Sequence, residues 1–101
     1  MLQVLVTKFS EIFAPFVKKV LMDANNQKIL LKFGQHIKKI RLDKKLSQDD
    51  VVLNSFRITK GTISDIENGK RNLSFTTLID LAKGLDLHPK VLMDFEIEKE
   101  K

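Results

Sequence analysis

The chain has 101 residues, 43% of them hydrophobic, which fits one domain with a small core and leaves little for a second. It contains no Cys, which excludes a disulfide framework and a Cys-based zinc site, and its two histidines, His36 and His88, lie far apart. No acidic cluster has metal-ligand spacing, no nucleophile–base pair or phosphate loop occurs, and no apolar run approaches the roughly 20 residues that cross a bilayer. We therefore expect no metal, no cofactor, no enzymatic activity and no membrane association. The default location is the cytoplasm, because the N-terminus lacks the order of a secretory signal.

The net charge of +5 is distributed unevenly along the chain. Residues 1–28 carry +2, residues 29–72 carry ten Lys or Arg against five acids, and residues 73–101 carry −2. A basic middle segment is typical of a surface that meets a polyanion, although a solvated Lys-rich surface gives the same pattern.

Residues 1–21 have the pattern of an amphipathic helix. Apolar residues recur at spacings of three and four, at Leu2, Leu5, Phe9, Ile12 and Phe16. Pro15 should kink or break this helix, and the polar stretch 23–28 reads as a linker. We therefore predict an N-terminal amphipathic segment and linker over residues 1–28.

A second helix is predicted over residues 29–44, with apolar positions 30, 33, 37 and 40 on one face. Ser47 is a good N-cap for the next helix, and Asp50 lies where a capping box has its acidic or amide partner. That helix should run to about Asn54, and a turn should follow over residues 55–58.

Three more helices follow from capping signals. Thr59 should cap a helix that runs to about Asn68 and ends at Gly69 in the left-handed conformation. Ser74 should cap the next, and the last should begin at His88 and Pro89. The prediction is an all-α, compact five-helix bundle over residues 29–95 and a charged tail over residues 96–101.

Three segments carry a resemblance to a known family. They are Leu46-Ser47-Gln48-Asp49-Asp50-Val51-Val52, Thr62 to Asn72 (TISDIENGKRN) and Leu78 to Leu85 (LIDLAKGL). In order and spacing they resemble the phage-repressor and Cro type of helix-turn-helix domain, the XRE family, over about residues 30–95. The resemblance implies a repressor-like bundle whose second and third helices form the unit that reads double-stranded DNA, with the second of this pair in the major groove.

The resemblance also implies the site residues. The predicted DNA-binding set is Gln48, Thr59, Lys60, Gly61, Thr62, Ser64, Asp65, Asn68, Lys70 and Arg71. Asn68, Lys70 and Arg71 match positions near phosphates. Gln48 matches a position that touches the DNA backbone or supports a base contact, and the other residues belong to the recognition helix and its start. Arg41 and Glu67 match a pair that forms an ion pair in some members. A partly buried Glu67 would in any case need a partner, and Arg41 is our candidate.

Two points stay open in this set. The family usually has seven residues from the position of Val51 to that of Ile58, but this chain has eight, including Phe56, which leaves the register of residues 59–61 open. Asp65 would either accept a hydrogen bond from a cytosine amine or pair with a nearby Lys outside the groove, and we favour the second.

The sequence therefore predicts a sequence-specific DNA-binding transcriptional regulator, a homodimer on a two-fold operator. The alternative is a protein-interaction module, such as an antitoxin, that binds a protein partner as well as DNA. The apolar stripe over residues 2–20 motivates it, because an exposed stripe fits a protein partner. A further alternative is that Met22 is the natural start of the protein.

Overall fold

The computed structural model describes the backbone of residues 2–97 and the side chains of residue 11 and residues 13–97. The described residues form five helices: α1 (Leu2–Asp43), α2 (Gln48–Asn54), α3 (Lys60–Glu67), α4 (Phe75–Gly84) and α5 (Pro89–Leu92). The predicted all-α class and the five-helix bundle with an N-terminal helical extension are confirmed. The predicted tail lies partly outside the described residues.

The prediction of a linker over residues 23–28 was wrong. Helix α1 is continuous for 42 residues and includes both Pro15 and this polar stretch. Pro15 removes one hydrogen-bond donor but does not end the helix. Residues 16–33 contain neither Gly nor Pro, so a helix already nucleated on either side propagates through them at little cost. Polar composition alone was therefore a poor signal for a break.

The short helices begin at the predicted caps. The Ser47 hydroxyl accepts a hydrogen bond from the Asp50 N–H at 3.0 Å, and Asp50 Oδ2 accepts one from the Ser47 N–H at 2.8 Å. The hydrogen bond donated by the Ser47 backbone N–H lowers the pKa of the Asp50 carboxyl below its ordinary value. The Thr59 and Ser74 hydroxyls cap α3 and α4 without a reciprocal bond, and they accept hydrogen bonds from the N–H groups of Thr62 and Thr77, each at 3.2 Å. Gly69 has φ +71°, the predicted left-handed residue after α3.

The hydrophobic core lies between the second half of α1 and the four short helices. Its buried side chains come from all five helices, from the turn before α3 and from the residue after α4: Phe33, Ile37, Val51, Ile58, Ile63, Ile66, Leu81, Ala82, Leu85 and Leu92. His36 fastens α5 to α1, because its Nε2 donates to the Val91 carbonyl at 2.9 Å. His88 Nδ1 accepts from the Lys90 N–H at 3.1 Å, at the start of α5.

Gly34 sets the distance between α1 and α3. A Cβ at this position would overlap the Ile66 carbonyl oxygen and would lie 2.7 Å from the Glu67 carbonyl oxygen. Only a residue without a side chain lets the two helices approach this closely. The contact fixes the end of α3 against the last third of α1.

The first part of α1 projects away from this core. Among its described side chains, Phe16, Val17, Val20 and Leu21 are at least half exposed. None of the described helices, α1 included, is long and apolar enough to cross a membrane.

Candidate nucleic-acid interface

Helix α3 has one buried face and one polar outer face. Ile63, Ile66 and Glu67 are buried, which fixes the rotation of the helix about its axis. The other face presents the predicted recognition residues, with Lys60 and Gly61 exposed and Thr62, Ser64 and Asp65 half-buried. This face is short and rich in hydroxyl groups, and a single cation stands at its start. Such side chains can contact phosphates and base edges.

The cations beside this face are held only by weak pairs. Lys60 Nζ lies 3.5 Å from Asp49 Oδ1, and Arg71 Nη2 lies 3.3 Å from Asp65 Oδ2. All four side chains are about half exposed or more, so water screens both pairs and a phosphate can displace either carboxylate at little cost. The pairing of Asp65 with Arg71, and not with a Lys, differs from the prediction.

The remaining polar residues are organised by hydrogen bonds along the same edge. The Thr59 hydroxyl, besides capping α3, lies 2.9 Å from the Thr62 hydroxyl. Asn68 Nδ2 donates to Ser64 Oγ at 3.4 Å, and Asn68 itself is exposed. Lys70 is exposed in the loop after α3. The structure thus places the predicted recognition-helix residues and the two loop cations on one connected surface.

Arg41 and Glu67 form the buried pair that holds this surface in place. Arg41 Nε donates to Glu67 Oε2 at 2.8 Å and Nη2 donates to Oε1 at 2.9 Å, a bidentate arrangement. The third donor, Nη1, bonds the Leu46 carbonyl at 2.9 Å. The hydrogen bonds to Glu67 raise the pKa of the Arg41 guanidinium above its ordinary value, against the opposing effect of burial. One guanidinium therefore joins α1, the loop before α2 and the end of α3.

Gln48 takes part in the same network and does not point freely outward. Its Nε2 donates to Glu67 Oε1 at 3.4 Å, and the side chain is half-buried. As the first residue of α2, Gln48 still has its backbone N–H at the helix start, where anions bind. The predicted contact of Gln48 with a DNA phosphate is therefore compatible with the geometry through its backbone N–H, whereas its side chain is bonded to Glu67.

Asp80 is the residue that sequence reasoning missed. From the middle of α4, its Oδ1 accepts the Phe56 N–H at 2.7 Å, and its Oδ2 accepts the N–H groups of Arg57 at 2.7 Å and Ile58 at 3.1 Å. Burial by itself raises the pKa of the Asp80 carboxyl, but the three N–H bonds and the charge of Lys83 outweigh burial and bring the pKa below its ordinary value. One carboxylate thus fixes the turn that aims α3. An acid between Ile79 and Leu81, in an otherwise apolar run, was the available signal.

The described residues contain no group of three or more His, Asp or Glu side chains that could hold a metal ion. Besides the carboxylates of Asp49 and Asp65, the predicted interface presents hydroxyl, amide, ammonium and guanidinium groups. These groups donate hydrogen bonds and positive charge, which is what a phosphate backbone accepts.

The comparisons with known proteins agree with this geometry. A helix-turn-helix family model matches residues 37–92, which include α2 and α3. The control protein C.BamHI of Bacillus amyloliquefaciens is 37% identical over 71 residues, which are 70% of this chain and 85% of that protein.

Two solved structures have the same arrangement. The restriction-modification controller protein C.AhdI from Aeromonas hydrophila superposes with a TM-score of 0.60 at 34% identity, over 64% of this chain and 97% of that one. The controller protein C.Esp1396I, solved as a tetramer in complex with its natural 35 base-pair operator, has a TM-score of 0.59 at 37% identity, over 64% and 84% of the two chains. On the family match and these relatives, the chain belongs to the helix-turn-helix family, in its phage-repressor and Cro (XRE) type.

Proposed function

We propose that this protein is a sequence-specific, double-stranded-DNA-binding transcriptional regulator of the controller type, with no enzymatic activity and with its site of action in the cytoplasm. The observation that carries the proposal is the polar outer face of α3 with its flanking cations. The Arg41–Glu67 pair fixes the end of this helix, and Asp80 fixes the turn before it. The relative C.Esp1396I, at 37% identity, was solved on its operator. The relatives support a regulator and give no support to the antitoxin alternative.

The proposed contacts divide by chemistry. Lys60, Thr62 and Ser64 reach base edges in the major groove. The Lys ammonium can donate to guanine O6 or N7, and the hydroxyls of Thr62 and Ser64 can bond either a donor or an acceptor on a base. Asn68, Lys70, Arg71 and the backbone N–H of Gln48 bind phosphates and position the helix. Gly61 lets the backbone of α3 approach the DNA, because it has no side chain and faces open space. A Cβ at this position would have only the Thr59 hydroxyl nearby, at 3.9 Å.

We propose that the protein acts as a homodimer. One module of this size buries only on the order of 600–1,000 Å² on DNA, so two half-sites are the usual route to useful affinity. An apolar groove of about 360 Å³ offers a surface for the second copy; its lining includes Phe33, Leu78 and Phe95. Phe75 and Met93, on the rim of this groove, are 75% and 50% exposed. A second copy that covers these two side chains would bury apolar surface that water now meets.

The phosphate contacts are tested by the salt dependence of DNA affinity. Lys70→Ala combined with Arg71→Ala should weaken binding to every duplex and reduce the slope of log affinity against log salt by about one to two units, because each phosphate contact releases about one counterion. Fluorescence anisotropy with a labelled duplex at four salt concentrations measures this slope. Lys38→Ala combined with Lys39→Ala is the matched control, since it removes the same charge from α1. An unchanged slope in the Lys70/Arg71 variant would remove both residues from the interface.

A further inference from the structure

The turn between α2 and α3 carries two large exposed side chains. Five residues, 55–59, separate the two helices. Phe56 is 80% exposed, and Arg57 beside it is exposed as well. The Arg57 guanidinium carbon lies 5.5 Å from the centroid of the Phe56 ring. The turn therefore presents a cation stacked on an aromatic ring, immediately before the Thr59 cap of α3.

This turn is held firmly, although it projects into solvent. Asp80 accepts the backbone N–H groups of Phe56, Arg57 and Ile58 within 2.7–3.1 Å. Those three bonds use both oxygens of the Asp80 carboxylate. Among the described residues, no carboxylate forms an ion pair with the Arg57 guanidinium, whose contact is the Phe56 ring.

Arg57 lines a groove together with other basic residues. The groove has a volume of about 510 Å³ and runs between the turn, the first part of α3 and helix α4. Arg57, Arg71 and Lys83 line it with three positive charges, and Asp80 contributes one negative charge, already bonded to the turn. Thr62 of the recognition face also lines the groove. The groove thus joins the proposed phosphate contact at Arg71 to the turn.

We propose that Arg57 is a further DNA-contacting residue, whose guanidinium binds a phosphate of the operator backbone in the groove next to Arg71. The inference rests on the proposed DNA-binding function and adds a contact to it. A guanidinium presents a planar fork of donors that matches two phosphate oxygens. The Phe56 ring restricts the Arg57 side chain before binding, and this reduces the entropy lost when the contact forms. Phe56, one of the eight residues from Val51 to Ile58, therefore supports the contact that Arg57 makes.

Three variants of the full chain test the proposal by the salt slope on one duplex. Arg57→Gln should reduce the slope by about one unit, and affinity should fall by a similar factor on specific and unrelated duplexes, because a phosphate carries no sequence information. Arg57→Lys retains the charge and should retain the slope. Lys39→Gln removes one charge from an exposed position on α1, outside the groove, and should leave the slope at the wild-type value. An Arg57→Gln slope equal to that of Lys39→Gln would overturn the proposal.

The controls separate this inference from the function on which it rests. Arg57→Gln should keep the wild-type melting temperature, because Asp80 bonds the backbone of the turn and not the Arg57 side chain. If the wild-type protein binds duplex DNA with a steep salt slope and Arg57→Gln does the same, only the Arg57 contact is wrong. If the wild-type protein shows no salt-dependent binding to any duplex, both the contact and the DNA-binding function fail.

Discussion

At the scale of single residues, the structure depends on a few side chains that join elements far apart in sequence. Asp80 is 22 to 24 residues from the three N–H groups that it accepts, and Arg41 is 26 residues from Glu67. Each of these groups satisfies several donors or acceptors at once. Their removal should therefore cost more than the loss of one average hydrogen bond.

Asp80→Asn should destabilise the protein by about 1–3 kcal/mol, because the amide has one acceptor oxygen in place of two and carries no charge. Urea unfolding at neutral pH measures this difference. Asp86→Asn is the matched control, since it removes the same charge at an exposed position just beyond α4 and should be near neutral. A stability equal to that of the control would mean that Asp80 does not hold the turn.

The comparison of the wild type with Asp80→Asn also gives a prediction about pH. Because the folded pKa of Asp80 lies below the ordinary value of 3.8, its contribution is fully present above that value and is lost as the pH falls through the lower folded pKa. The stability difference between wild type and Asp80→Asn should therefore be constant at neutral pH and should shrink in acid, below a pH of about 4. A difference that stays constant into strong acid would contradict the ionised, hydrogen-bonded carboxylate.

Glu67→Gln should lower the free energy of unfolding by about 3–5 kcal/mol, because it leaves the buried Arg41 guanidinium without its counter-charge. The side chains of Arg41 and Glu67 are only 10% and 3% exposed. Asp65→Asn breaks the exposed pair with Arg71 and should cost less than about 1 kcal/mol. Chemical denaturation of both variants measures the contrast, and equal losses would mean that burial does not distinguish the two ion pairs.

At the scale of elements, local chemistry was sufficient to predict where the short helices begin. Ser47, Thr59 and Ser74 satisfy the first N–H groups of their own helices, so sequence neighbours decide these boundaries. The continuity of α1 was not predictable in this way, because residues 23–28 are polar on all sides but contain no helix breaker. The roles of Asp80 and Gly34 were also missed, since both depend on which helices meet in the folded chain.

The contact between α1 and α3 gives the prediction at this scale. Gly34→Ala should destabilise the bundle by about 1–3 kcal/mol, because the new Cβ would overlap the α3 backbone, and helix propensity returns at most about 1 kcal/mol. Gly61→Ala is the matched control in a helix with open space around the site, and it should be neutral or slightly stabilising. Thermal unfolding of the two variants compares them. A Gly34→Ala protein as stable as Gly61→Ala would mean that the two helices do not pack this closely.

At the scale of the whole molecule, sequence motifs were enough to predict the family, and the charge distribution pointed to the same partner. The basic middle segment, residues 29–72, contains α2, α3 and the loop after it. The apolar stripe of α1 fits no part of this account. Of its side chains, Phe16 and Val20 are 65% and 50% exposed, whereas those of Leu2, Leu5, Phe9 and Ile12 lie outside the described residues. A protein partner for the stripe over residues 2–20 stays a prediction, as does the division of the chain at residue 28.

The central claim, that the outer face of α3 reads a specific duplex sequence as part of a dimer, is tested most directly by selection. The purified protein is incubated with a randomised duplex library at two salt concentrations, and the bound DNA is sequenced. We expect an enriched motif with approximate two-fold symmetry that survives the higher salt, because base contacts and two half-sites add to the phosphate contacts. Binding without enrichment that is lost as the salt rises would contradict the claim, since charge alone would then hold the DNA.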